Sequence, residues 1–332
     1  MSASEAPFTV AAVQAAPIFL DREATVEKAC ALIAQAAAAG AKIVVFPESF
    51  IPAYPAWVWA VPAGEEGLLS ELYAELLANA VAIPSPATDQ LCDAAKRAGV
   101  YVVMGISERN IEASGASLYN TLLYIEPEGA ILGKHRKLVP TGGERLVWAQ
   151  GDGSTLGVYE TPFGMLSGLI CWENYMPLAR YALYAWGTQI YVAATWDRGQ
   201  PWLSTLRHIA KEGRVYVLGC GMALRTSDLP DRLALKQRFY ADAGEWINRG
   251  DSAIVSPDGA YLAGPVRERE EILYAELDPR QMRGPKWMLD VAGHYGRPDV
   301  FELTVRTAGH PMLVVQGSAP VTHPADAMVL PG

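Results

Sequence analysis

The chain has 332 residues, 51% of them hydrophobic and 19% charged, with a formal net charge of −9. This composition supports a sizeable core and excludes a disordered chain, and the acidic balance without an extended basic run argues against nucleic acid as a partner. The four cysteines are scattered with no CxxC pair, which excludes a disulfide framework or zinc site. No apolar run spans a bilayer and the first residues lack a leader pattern, so a cytoplasmic protein with reduced thiols is expected.

Phe8–Ala15 is an apolar, β-rich run. Asp21–Ala39 reads as a helix, with Val26, Ala29, Cys30, Ile33 and Ala37 on one face, stopped by Gly40. Cys30 is therefore expected in the core. Ile43–Phe46 is a short buried strand that runs into Pro47-Glu48-Ser49-Phe50. A carboxylate directly after a buried strand is either a solvated loop charge or a site residue, because ligands gather at strand carboxyl ends in open α/β sheets. Ile51–Gly64 holds Tyr54, Trp57 and Trp59 among prolines, too irregular for a helix interior. It walls a pocket or packs as an aromatic loop. Glu66–Ala80 and Ser85–Ala98 read as two further helices, the second carrying Cys92 beside its apolar face and ended by Gly99.

Tyr101–Ile106 is the next strand, and Leu118–Ile125 and Ala130–Leu132 flank the turn Pro127-Glu128-Gly129 as a hairpin. Lys134-His135-Arg136-Lys137 follows, a run that either lies in solvent or points one lysine inward at an anion. Gly151-Asp152-Gly153-Ser154 lacks GxGxxG spacing and a following helix, so it is not a phosphate cradle. Met165–Ile170 reads as a buried strand, followed by Cys171 and then by Pro177, a favoured first helical residue. A thiol ahead of a helix N-terminus can be held as thiolate by the positive partial charge there. Gln189–Ala194 leads to Thr195-Trp196-Asp197, Trp202–Lys211 is a helix, and Val215–Cys220 is a further strand. Cys220 ends its strand as Cys171 does, so position alone does not separate them. Asp251–Ser256 and Tyr261–Ala263 form a hairpin, and Glu271–Leu277 completes the strands. The tail from His310 to Gly332 is rich in Pro, Ala and Gly and is expected to be loose or draped on a neighbour. The alternation of strands and helices, without a linker or repeat, fits one layered α/β domain.

Glu48, Lys137, Cys171 and the Thr195–Asp197 group all follow apolar strands, and strand ends on one sheet edge converge. A carboxylate that takes a thiol proton, a thiolate that attacks an electrophilic carbon and an ammonium that stabilises developing charge form a complete chemical set. No GxSxG, HExxH or GxxxxGK[ST] pattern competes, and the five histidines lie in unrelated contexts.

Three stretches together resemble the catalytic motifs of the carbon–nitrogen hydrolase (nitrilase) superfamily, in that family's order: Phe46–Phe50, His135–Thr141 and Ile170–Leu178. Glu144–Gly153 and Gly293–Phe301 are similar to stretches of true nitrilases, with Ala149 where glycine is common. The resemblance runs from about Phe8 to Phe301. It implies a four-layer αββα sandwich over residues 1–309 with a tail at 310–332, Glu48 as general base, Lys137 as charge stabiliser and Cys171 as nucleophile. It implies Glu144 as a second, positioning glutamate and the Trp172 backbone N–H as a further charge-stabilising group, which leaves Cys220 structural. The expected reaction is hydrolysis of a small-molecule nitrile to acid and ammonia without metal or organic cofactor. An amidase, carbamoylase or cyanide-converting enzyme would use the same three residues, and a non-catalytic assembly protein could retain the fold. Tyr54, Trp57, Trp59, Thr195 and Trp196 are candidate pocket walls. The resemblance also implies a homo-oligomer, a dimer extending to a spiral.

Overall fold

A computed structural model of the chain describes residues 6–312. Two sheets pack face to face with helices outside each, the αββα order that the motifs imply. The first sheet uses β1 (Phe8–Gln14), β2 (Ala41–Val45), β3 (Tyr101–Arg109), β4 (Leu118–Ile125), β5 (Ile131–Arg136) and, from the far end of the chain, β13 (Glu271–Leu277). Their order is β13-β1-β2-β3-β4-β5. The second sheet contains β6 (Tyr159–Thr161), β7 (Gly164–Ile170), β8 (Ile190–Thr195), β9 (Tyr216–Gly221), β10 (Ala223–Arg225) and β11 (Trp246–Val255) in the order β10-β11-β9-β8-β7-β6. β12 (Tyr261–Arg267) pairs with β11 as the seventh strand.

Helices α1 (Arg22–Ala38), α2 (Glu66–Asn79) and α3 (Pro86–Ala98) belong to the first half of the chain, α4 (Pro177–Ala185) and α5 (Gly199–Gly213) to the second. A short α6 (Ala234–Phe239) follows. Local chemistry sets their ends. Asp21 accepts the Ala24 N–H at the start of α1 at 2.9 Å, and Ser85 and Thr88 cap α3 reciprocally behind Pro86. Gly99 ends α3 in the left-handed conformation (φ +63°), where a Cβ is penalised.

Apolar side chains of β1, β2, β3, β7, β8 and β9 fill the space between the sheets and under α1 and α3. A second cluster, built on Leu169, Leu183, Tyr191, Trp202 and Leu206, lies between the second sheet and α4–α5. Cys220 is buried between the sheets, its Sγ 3.2 Å from Val13 O and 3.4 Å from Val45 O. Cys30 is only half-buried, its Sγ 3.6 Å from Gln90 O, so the expected core position is a helix–helix margin instead.

Most expected elements are present, with shifted ends. β5 runs on through Lys134, His135 and Arg136, well past Leu132. β11 and β12 are longer than the expected hairpin arms, and α5 begins three residues early. β6, β10 and α6, the shortest pieces, were not expected; at three to six residues they carry too little periodicity to read. Of the tail, residues 310–312 are described: the His310 N–H lies 3.2 Å from Asp152 Oδ2. The expectation for the rest of the tail falls outside the described residues. No described helix is long and apolar enough to cross a membrane.

Candidate active site

β2 and β3 are parallel, and β5 runs the same way because two antiparallel steps separate it from β3. β7, β8 and β9 are parallel in the second sheet. The carboxyl ends of β2, β5, β7 and β8 release Glu48, Lys137, Cys171 and Thr195–Trp196 into one place, as the strand-end argument expects.

Glu48 lies two residues beyond Phe46, whose N–H still pairs with Val103 O at 2.8 Å. The turn is tight. Ser49 sits at φ +48°, and its Oγ is 3.0 Å from Ala53 O and 2.9 Å from Ser107 Oγ. Gly105 on β3 permits the close approach, because a Cβ there would collide with the Pro47 carbonyl. Glu48 Oε1 accepts from Asn120 Nδ2 at 2.7 Å and from Lys137 Nζ at 2.8 Å, and Oε2 accepts from the Trp196 N–H at 2.6 Å. Burial pushes its carboxyl up to about 7, against the pull of Lys137 and with a further push from Glu144.

Lys137 follows β5 directly and has no solvent exposure. Its N–H donates to Asn120 O at 2.8 Å. The ammonium lies 2.8 Å from Glu48 Oε1 and 2.7 Å from Glu144 Oε2. Burial alone would lower its pKa, but Glu48, Cys171 and Glu144 outweigh this and hold it above the usual lysine range. Glu144 belongs to a 3-10 turn (Gly142–Leu146) and accepts from the Thr141 N–H at 2.7 Å and the Tyr54 hydroxyl at 2.8 Å. The basic run is therefore not a solvated face: Lys137 points inward, and Arg136 is held by Glu108 and stacks over Tyr119.

Cys171 is the first residue of a 3-10 turn (Cys171–Tyr175) that precedes α4, in the left-handed region at φ +51°. Its residue exposure is 4%. The turn's first N–H groups have no acceptor within it. Their partial charge favours the thiolate that the sequence allows, but it is opposed. Burial pushes the thiol up, and Glu48 adds to the push; Lys137 and a hydrogen bond from Thr195 pull the other way without prevailing. One carboxylate oxygen each from Glu48 and Glu144 and the Cys171 sulfur lie within 4.8 Å of one another. Such a trio has the spacing of a metal site, but the Lys137 ammonium already bridges the two carboxylates and supplies the positive charge.

Around this cluster, Tyr54 stacks on Trp196 with ring centres 4.2 Å apart, and Trp59 Nε1 donates to the Tyr54 hydroxyl at 2.9 Å. Trp57 is fully buried edge-on against Phe19 and contributes to the core. The Trp172 side chain is 53% exposed and donates to Asp197 Oδ2 at 3.0 Å, as the Tyr175 hydroxyl does at 3.1 Å. Thr195 is buried and accepts the Asp197 N–H at 2.7 Å.

Three supporting residues escaped the sequence reading. Asn120 serves both Glu48 and Lys137; its signal is an amide in the middle of an apolar strand. Glu173 and His135 form a buried pair at 3.0 Å beneath the Lys137 and Cys171 loops. Glu173 stands three residues after Ile170, the spacing of a capping side chain. His135 alternates with Lys134 and Arg136 along a strand, so one of the three faces inward.

The fold and site together define an αββα hydrolase built on a buried Glu–Lys–Cys cluster. The carbon-nitrogen hydrolase family profile matches residues 9–285, and the chain belongs to that family. It is 44% identical over 305 residues to an aliphatic nitrilase of Sinorhizobium fredii (strain HH103), covering 90% of this chain and 95% of that protein. It is 42% identical over 298 residues to a bifunctional nitrilase/nitrile hydratase of Nicotiana tabacum, covering 89% and 84%. Among solved structures, Saccharomyces cerevisiae Nit3 of the nitrilase superfamily aligns with a TM-score of 0.67 at 21% identity, covering 89% of this chain and 99% of that one. That last likeness speaks for the fold.

Proposed function

We propose that this hydrolase converts an organic nitrile to its carboxylic acid and ammonia through a covalent intermediate on Cys171. The reading rests on one observation above all: a thiol and two carboxylates within 4.8 Å of each other around a single ammonium. The nitrilase names of the relatives at 42% and 44% identity direct it towards nitriles.

In this mechanism Glu48 takes the Cys171 proton as sulfur adds to the nitrile carbon and passes it to the nitrile nitrogen, which gives a neutral thioimidate and frees the carboxylate. Glu48 then deprotonates a water that adds to the same carbon. Glu48 passes that proton to the nitrogen, then takes the proton of the added hydroxyl and delivers it to the nitrogen too as the C–N bond breaks, so that ammonia leaves and a thioester remains. A second water, activated in the same way, releases the acid and restores the thiol. A base whose pKa lies near 7 suits both directions of proton transfer. Lys137 stays charged throughout and, with the Trp172 backbone N–H, stabilises charge that develops on the reacting atoms. Glu144, fixed by Tyr54 and Thr141, aims the ammonium. Tyr54, Trp59, Thr195 and Trp196 wall the substrate site, with Trp57 behind them. The chemistry calls for no metal or organic cofactor. Rupture of the C–S bond in place of C–N would release the amide instead, an outcome in keeping with the nitrile hydratase activity in one relative's name.

The test is a panel of a nitrile, its amide and cyanide, scored together for ammonia, acid and amide. Wild type should release ammonia and acid from the nitrile, and Cys171→Ala should release neither. Turnover of the amide alone would identify an amidase, cyanide alone a cyanide-converting enzyme, and no turnover anywhere a non-catalytic relative.

We further infer a homo-oligomer, on the strength of exposed Leu178 and Trp186 on and beside α4 and exposed Tyr295 and Phe301 near the described C-terminus. A dimer or larger species in size-exclusion chromatography supports it. Four unpaired cysteines favour a cytoplasmic setting. Residues 1–309 are assigned to the catalytic unit and 310–332 to a tail.

A further inference from the structure

Glu173 touches none of the reacting groups, yet it touches the neighbours of two of them. One carboxylate oxygen accepts the N–H of Leu138, the residue after Lys137, at 2.6 Å. The other accepts the N–H of Ile170, the residue before Cys171, at 2.8 Å. His135 Nε2, from two residues before Lys137, lies 3.2 and 3.0 Å from the two oxygens. Lys137 leaves the first sheet and Cys171 leaves the second. A single carboxylate therefore spans the seam between the sheets at the point where the ammonium must meet the sulfur.

Burial opposes ionisation of Glu173, but His135 and the two backbone donors prevail and hold its carboxyl below the usual range. The bonds it accepts are thus charge-assisted, the shorter and stronger kind. An ionised carboxyl accepts only, so His135 presents an N–H at Nε2. Its Nδ1 is buried and has no partner among the described residues. For stability alone a buried carboxylate is costly to keep, since it has to be taken out of water. What a carboxylate adds is direction: two oxygens at fixed separation, each committed to one strand end.

We infer that Glu173 is a positioning residue that sets the separation of the Lys137 ammonium and the Cys171 sulfur by tying Leu138 and Ile170 to one carboxylate, with His135 fixing the plane of that carboxylate. The inference rests on the assignment of Lys137 and Cys171 to the reaction. It does not depend on the substrate being a nitrile.

The test is Glu173→Gln in the full-length chain. Glutamine keeps the shape but turns one accepting oxygen into a donor, so one of the two strand ends is released. Three quantities are read: the rate of Cys171 alkylation by iodoacetamide, followed by mass spectrometry; kcat and KM on the best nitrile; and the melting temperature. Alkylation and kcat should fall together by about 10- to 100-fold, the scale of a misplacement near 1 Å. KM should stay within about twofold, as expected when binding is untouched. Wild-type alkylation and kcat in a folded variant would overturn the inference. Should Glu173→Gln fail to fold, His135→Leu takes its place, because it leaves both backbone bonds intact and only frees the carboxylate to turn. A parallel drop of a few fold in alkylation and kcat supports the inference there, and unchanged rates overturn it. If wild type is alkylated at Cys171 yet turns over no nitrile, the substrate reading fails while a loss of alkylation in Glu173→Gln still supports the positioning role.

Discussion

Lys137 puts one positive charge between two carboxylates, out of reach of solvent, and the balance among the three decides where protons sit. Burial does most to raise the Glu48 carboxyl to about 7, Lys137 pulls against it, and the nearby Glu144 adds a further push. The sign of the resulting pH dependence follows. Glu48 can accept the thiol proton only as a carboxylate, so kcat/KM should rise with pH along an acid limb centred near 7. A pH–rate profile from 5.5 to 8.5 checks this, and a flat profile would remove Glu48 as the base. Stability responds in the opposite sense through the same group. Its folded pKa is raised above 4.5, so its contribution is fully present below about pH 4.5 and is lost as pH rises through about 7. Glu108 and Glu173 have lowered values and work the other way, stabilising above 4.5 and losing that contribution as acid protonates them. An activity rising across pH 5–7 while the Glu48 share of stability falls is the signature of a base kept for chemistry.

At the scale of the element, the site depends on how closely a turn can approach a strand. The Glu48 turn lies on β3 at Gly105, where a Cβ would meet the Pro47 carbonyl and crowd the Ser49 N–H. Gly105→Ala should therefore push the turn outward, costing about 1–3 kcal/mol and lowering kcat by displacing the carboxylate. Urea unfolding beside steady-state kinetics reads both effects; an alanine variant with unchanged stability and rate would mean that the turn yields freely. The same scale explains what could be read from the residues alone. Long, capped helices such as α3 and continuous apolar strands such as β4 declare themselves by period and by their terminal residues. The strand-end positions of Glu48 and Cys171 were legible for the same reason. β5 was cut short because Lys134, His135 and Arg136 look like a charged surface, while in the fold Glu108 and Glu173 reach across to pair with them. Those partners are distant in sequence, 26 and 38 residues from Lys134 and His135, and no local pattern announces them. At Cys171 the helix start is legible, but the depth of burial and the nearness of Glu48, which push the thiol up, are not.

Over the whole molecule, neither sheet holds the site alone. Glu48, Lys137 and Asn120 come from the first sheet and Cys171, Thr195 and Trp196 from the second, so the proposed chemistry requires the two layers to be docked. The first sheet itself is closed late, because β1 pairs on one side with β2 and on the other with β13, Phe8 opposite Leu277. A chain that stops before Glu271 keeps every residue assigned to catalysis but leaves one flank of β1 bare. Such a truncation should lose soluble, active protein, measured as specific activity in the supernatant; full activity would show that β13 is dispensable. The pairing also imposes a schedule on synthesis. At about 5–20 residues per second, tens of seconds separate the emergence of the first strand from that of its partner. A β1–β2 pair formed in that interval would display an unpaired strand edge that other chains could seize. Slower translation would lengthen that exposure, and earlier supply of the β13 segment would shorten it.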